Sequence, residues 1–263
     1  MESAKDPRAV RFGIVPTTRL LTQRRLLSQW SAVTTPTEWV SCVDYAELLR
    51  RVLDRSIDCA WLPPVTYLRA LEAGVVEPVY ALRRAGVGRY VSALICSENA
   101  SYARVEDLHG ARAAWVDPWS AAGYIMPRRM VRDAGLHPDR DLWQRVVGSY
   151  SNALEAIALN DADIAGIYCS VDAFRTIVRS GWTGADRVRV LAISEPIAGD
   201  VLVRVVGSRP ALVDAWVAAL GDAARAPEHK GLLWDVFGAD DVGPMSSEDY
   251  QPLADALRGE SIW

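Results

Sequence analysis

Short, continuous apolar runs alternate with longer helical patterns along almost the whole chain. Such runs suit strands covered on both faces, and a helix between them returns the chain to the same sheet edge. Val10–Val15 reads as a strand and Leu20–Trp30 as a helix. Thr37–Val43 is a second strand, and Asp44 is placed to cap a helix over Tyr45–Leu53. Asp58–Leu62 reads as a buried strand, after which Pro63-Pro64 opens another helix where a missing N–H costs nothing. Strands also fit Glu77–Leu82 and Tyr90–Cys96. This rhythm predicts an α/β chain with mostly parallel sheets flanked by helices.

A second set follows Ser97. "VEDLHGARAAWVDP" predicts a short helix from Val105, a stop at Gly110 and a strand. A helix is expected from about Ala121 to Ala134, ended by Gly135, with Pro127 kinking it or breaking its first turn. "RVVGSYSNALEAIALNDADIAGIYC" gives strand, turn, helix, turn and strand, and Val188–Ile193 a further strand. The last third is helical, over Pro210–Ala224, Glu228–Phe237 and Ser247–Leu257. The extended segments Tyr90–Cys96 and Leu191–Val205 bracket the second set. A chain that leaves one lobe and later returns must cross twice, so two lobes are expected: residues 1–95 with 197–263, and residues 96–196. In such folds ligands sit at the carboxyl ends of strands, here in a cleft between lobes.

Composition narrows the partners. A net charge of −4 argues against a nucleic acid held on a basic surface. Cys42, Cys59, Cys96 and Cys169 are scattered in apolar company, with no histidine at ligand spacing, so buried thiols and no metal are expected. No cofactor motif is visible. No apolar run approaches the roughly 18 residues of a membrane span, so no membrane insertion is expected. The N-terminus runs straight into a strand-like segment without a signal-peptide pattern. The expectation is a cytoplasmic protein, or a periplasmic one if a leader has been removed.

The stretch "AWVDPWSAAGYIMPRR" (residues 114–129) carries the chemistry. A strand, a tight turn at Asp117-Pro118, small residues and a helix start form a seat for an anion. The first amides of a helix lack partners and lie at the positive end of its dipole. The peptide amides of residues 120–123 are expected to cradle a negative group. Ser120 can add a hydroxyl, and Gly123 can let a ligand approach the backbone. The plainer alternative for Ser120 is an N-cap that serves only its own helix.

Five segments, in order, resemble the phosphonate/phosphite-binding proteins of ABC transporters, the PhnD-like group with the type 2 periplasmic-binding-protein, or Venus flytrap, fold. They are "RFGIVP", "SIDCAWLPPVTYLRA", "VEDLHGARAAWVDPWSAAGYIMPRRMV", "VVGSYSNALEAIALNDADIAGI" and "ISEPIAGDVLVRV". The resemblance implies a substrate-binding role and a ligand shell drawn from Trp61, Thr66, Tyr67, Tyr90, Asp117, Trp119, Ser120, Ala121, Ala122, Gly123, Tyr124, Ser149, Tyr150, Tyr168 and Asp200. Trp61, Tyr67 and Tyr124 equally read as packing residues, whereas Trp119 on a turn reads as a lining residue.

The sequence departs from the family pattern. Ala121 and Ala122 stand where the family places hydroxyls, Tyr150 where it usually has histidine, and Ser151 where it has aspartate. Tyr168 replaces an acidic residue and Pro63 a serine, while Asp200 keeps the family's type. The ligand implied is a small anionic or anion-bearing organic molecule that is larger, flatter or less charged than phosphonate. Two alternatives stay open. One is an enzyme on the same fold, a lyase or dehydratase akin to chorismate dehydratase, using Ser120, Tyr150, Tyr168 and Asp200. The other is a scaffold that no longer binds.

Overall fold

A computed structural model describes residues 6–16, 20, 25–171, 177–178 and 187–260. In chain order these form β1 (Val10–Ile14), α1 (Arg25–Val33), β2 (Thr37–Ser41), α2 (Tyr45–Leu53), β3 (Cys59–Leu62), α3 (Pro64–Glu72), β4 (Val76–Arg83) and β5 (Arg89–Ser97). Then come β6 (Arg112–Trp115), a π turn (Ala121–Ile125), α4 (Met126–Asp133), α5 (Pro138–Asp141), β7 (Trp143–Val146), α6 (Tyr150–Ala158), β8 (Ile164–Val171) and β9 (Ile177–Val178). The chain continues through β10 (Val188–Ile193), β11 (Ile197–Ala198), β12 (Val201–Val205), α7 (Pro210–Arg225), α8 (Lys230–Phe237), β13 (Asp241–Gly243) and α9 (Gln251–Leu257). Among the described residues no helix is long and apolar enough to cross a membrane.

Two compact units result, Met1–Gly88 with Gly199–Ser247 and Arg89–Ala198 with Glu248–Trp263. The first crossing comes at Gly88/Arg89 rather than after residue 95, which puts the whole of β5 in the second unit, and residues 248–263 group with that unit rather than the first. The physical cause is an ion-pair cluster: Glu260 joins Arg128 and Arg132 on α4, and Arg89 on β5 pairs with Asp249.

The first unit holds a sheet in the order β13-β4-β12-β3-β1-β2. β1 lies parallel to β2 and β3, whereas β12 runs antiparallel to both β3 and β4. This sheet is therefore mixed, a correction to the mostly parallel one expected. The reason is the returning segment, which slots between β3 and β4 in the opposite sense. Strand alternation turns Val10, Phe12 and Ile14 into one core. Phe12 packs against Trp39 and Trp216 at 5.2 Å and Phe237 at 6.0 Å between ring centroids. Asp44 caps α2 as expected, accepting from the Glu47 amide at 2.7 Å. The Leu20–Trp30 helix is seen as Arg25–Val33, since residues 21–24 lie outside the described set, as does Trp182.

In the second unit the order is β10-β5-β8-β6-β7. β6 is parallel to β7 and β8, and β5 is antiparallel to β8 and β10. Alternate residues of one strand enter two cores. Ala114, Ala165, Ala93 and Ile95 meet α6, while Ala113, Trp115, Leu94 and Ile164 meet Val131 of α4. Both faces are covered, as the continuous apolar runs require.

Candidate functional site

In the second unit, β6 and β7 are parallel neighbours, so the loops that follow them leave from the same end of the sheet. The loop after β6 leads through Asp117 and Ser120 into the π turn and α4. The loop after β7 leads through Ser149 into α6. Their tips meet: Ser120 Oγ lies 3.0 Å from the Tyr150 hydroxyl. The Tyr150 ring packs edge-on against Tyr168 of β8, with centroids 4.8 Å apart. The fold thus brings together three of the predicted site residues from three consecutive strand segments.

Pro127 shapes the turn. Without an N–H it cannot bond the Gly123 carbonyl, which instead accepts from the Val116 amide at 3.0 Å. The Met126 amide reaches back five residues to Ala121 O, giving a π turn. That leaves the Ala122 carbonyl, which accepts from the buried Ser92 hydroxyl at 2.7 Å. The expected broken first turn is therefore present, and each displaced carbonyl has a new donor.

The amide inventory corrects the expected cradle. Trp119 N donates to Asp117 Oδ1 at 2.7 Å and Ser120 N to Asp117 O at 3.0 Å. Gly123 N donates to Ser120 Oγ at 3.0 Å, so Ser120 is an N-cap. Among the described residues only Ala121 and Ala122, of the four expected amides, make no hydrogen bond. The role assigned to Gly123 also changes. A Cβ there would stand 2.4 Å from Val116 Cγ2 and 2.8 Å from Ser120 Oγ, so its smallness serves packing beneath the turn. Ala121 and Ala122 are buried as well.

The electrostatics of this turn are set by Asp117. Burial raises its carboxyl above the ordinary carboxylate range, against the opposing pull of the Trp119 and Ser120 amides. Ser149 caps α6 by accepting from Asn152 N at 3.1 Å, while Asn152 Nδ2 holds Val147 O at 2.7 Å. Trp119 is half-buried on the turn. Tyr124 lies under the Arg128 guanidinium, 4.8 Å from its centroid, and packs with the α4-side core.

Trp61, Thr66, Tyr67 and Asp200 belong to the first unit. Trp61 packs edge-on against Phe237 at 5.7 Å, which favours its packing role. Thr66 and Tyr67 are fully buried on the first turns of α3, and burial pushes the Tyr67 phenol up. Trp61 Nε1 and Thr66 Oγ1 are buried polar atoms without a hydrogen-bond partner among the described residues. Asp200 forms an ion pair with Arg84 at 3.3 Å. Tyr90, in the second unit, is the second residue of β5 and lies opposite Ile197 of β11.

Neither Ser92 nor Glu260 is among the residues predicted for the site, and the sequence suggests a solvated helix face for Arg128-Arg129, whereas Arg128 is buried. Ser92 interrupts the apolar run "YVSALIC", and a hydroxyl inside a buried strand needs a partner, so a signal existed. Arg128 had none, because a doubled arginine on a helix ordinarily faces water.

A sequence family described as the periplasmic substrate-binding protein of phosphonate ABC transporters matches residues 25–250. The chain belongs to this family. Among solved structures, a binding protein component of an ABC phosphonate transporter (PA3383) from Pseudomonas aeruginosa is similar over 96% of this chain and 86% of that one, at 19% identity and a TM-score of 0.75. PhnD1 from Prochlorococcus marinus, in complex with methylphosphonate, is similar over 96% and 98% of the two chains, at 13% identity and a TM-score of 0.72. XAC2383 from Xanthomonas citri, bound to ATP, covers 96% of each chain at 15% identity and a TM-score of 0.77. At such identities the likeness is one of fold, that of the periplasmic binding proteins.

Proposed function

We propose that this protein is a binding module for a small organic anion, whose acidic head group is seated at the turn that opens α4. The observation that carries the reading is the meeting of Ser120 Oγ and the Tyr150 hydroxyl at 3.0 Å, above a helix start. The Ala121 and Ala122 amides lie at the positive end of that helix. When Tyr150 donates to Ser120, the Ser120 proton is directed to a ligand oxygen. The edge-on Tyr150 and Tyr168 rings supply an apolar wall suited to a flat substituent. Family membership and the methylphosphonate bound by PhnD1 support an oxyanion head group.

The test is calorimetric titration with methylphosphonate, phenylphosphonate and benzenesulfonate. Phenylphosphonate is expected to bind roughly tenfold tighter than methylphosphonate, about the effect of one well-packed apolar contact. Ser120→Ala and Tyr150→Phe are each expected to weaken binding by a similar factor, the worth of one hydrogen bond to a charged group. Absence of binding by all three anions, or wild-type affinity in both variants, would remove this reading.

A further inference from the structure

The C-terminal segment is clasped to the helix that carries the proposed seat, through a charge cluster whose central pair, Arg128 and Glu260, is almost without solvent exposure. The Arg128 side chain is only 4% exposed and the Glu260 side chain 2%. Arg128 uses all its nitrogens. Nε donates to Glu260 Oε2 at 2.9 Å, Nη2 to both oxygens of Asp139 at 2.9 Å, and Nη1 to Gln144 Oε1. Gln144 Oε1 also accepts from Trp115 Nε1 at 2.7 Å, and its amide returns to Asp139 at 3.0 Å. Glu260 takes a second partner in Arg132, which also holds Ala256 O at 3.2 Å. The face of Arg128 lies over Tyr124, which belongs to the π turn itself.

We infer that Arg128 is a positioning residue for the ligand turn, and that residues 251–260 act through Glu260 as a strap that sets how ordered that turn is. Arg128 sits between strap and turn, with one end on Glu260 and its plane on Tyr124. A guanidinium held at three nitrogens has no freedom to tilt, so the ring stacked beneath it is fixed too. A partly satisfied buried guanidinium must move to find water, and Tyr124 then loses its cover. Two carbonyls of the π turn, those of Gly123 and Ala122, are held by single replacement bonds from Val116 and Ser92 in place of a regular ladder, so the turn is the element that loosens first. The effect of the strap on affinity rests on the function proposed above, but its effect on turn order does not.

Hydrogen exchange on the unliganded full chain separates these. In Glu260→Gln, which keeps the shape and removes the charge, exchange at residues 123–126 is expected to rise at least tenfold, while α6 keeps its protection. Glu260→Ala is expected to do the same more strongly. Phenylphosphonate affinity should fall at least threefold in Glu260→Gln, with Glu260→Asp partly restoring both readouts. Unchanged exchange at residues 123–126 would overturn the inference. So would an equal loss of protection across the second unit, which would mark the cluster as a general support. A change in exchange without phenylphosphonate binding by the wild type would leave the strap standing and remove the proposed ligand.

Discussion

At the scale of single residues, Asp117 and Ser120 divide the work of one turn. Asp117 spends its acceptors on the backbone that leads into the turn, and Ser120 spends a lone pair on the Gly123 amide. Asp117 makes the turn sensitive to pH. Its folded-state carboxyl is raised above 3.8 by burial, so the folded protein holds that proton more tightly than the unfolded chain. The associated stability is fully present below the ordinary carboxylate value and is lost as pH rises through the raised one. Asp117→Asn keeps the acceptor for Trp119 and removes the titration. Denaturation midpoints measured at a series of acidic pH values should therefore show a smaller decline with rising pH in Asp117→Asn. Parallel profiles for the two proteins would rule this out. Asp58 behaves with the opposite sign. Burial pushes its carboxyl up, but the hydrogen bonds from Arg11 and Arg209 prevail and hold it at about 2, so its contribution is lost only as pH falls towards that value.

At the scale of elements, the π turn shows how one proline propagates into a strand on another part of the sheet. Pro127 displaces the helix ladder, and Ser92 of β5 answers for the Ala122 carbonyl. Ser92 is itself held by the Ser194 hydroxyl, which accepts from its amide at 2.9 Å. Ser92→Ala would leave a buried carbonyl without a donor, at a cost of about 1–3 kcal/mol. Urea denaturation should register that loss. A change of less than about 0.5 kcal/mol, the size of an ordinary surface substitution, would show that water or a shifted backbone replaces the hydroxyl. Gly166 belongs to the same arrangement, since a Cβ there would meet Pro127 Cγ at 2.5 Å and the Ala122 carbonyl at 3.0 Å.

For the whole molecule, the two units have separate cores and each carries its own thiols. Cys42 and Cys59 lie in the first, Cys96 and Cys169 in the second, and all four are buried and free. Burial pushes each thiol up, Cys169 to about 11, so none is a ready nucleophile at neutral pH. Native protein should therefore react slowly with a thiol reagent. A chain ending at Ser247 lacks the segment that completes the second unit, and Cys96 and Cys169 should become reactive before Cys42 and Cys59. Mass mapping of the labelled peptides reads this directly. Simultaneous labelling of all four would mean that the two units unfold as one.

Much of the fold was legible because it is local. Alternation of apolar runs with helical periods gave β1, β3, α2 and β6 close to their observed bounds, and Asp44, Pro64 and Gly135 marked helix ends by chemistry that needs no distant partner. Pro127 announced a broken turn for the same reason. The sequence by itself therefore determined the α/β class and the broken turn at Pro127, since backbone geometry and hydrogen-bonding capacity act within a few residues. Only the tertiary structure decided which groups that turn still offers. Ser120 meets Tyr150 across 30 positions, Gly123 is filled by Val116, and Glu260 reaches Arg128 across 132 positions. Those pairings depend on which strands become neighbours, and a carboxylate or hydroxyl carries no local mark of the partner that packing will bring to it.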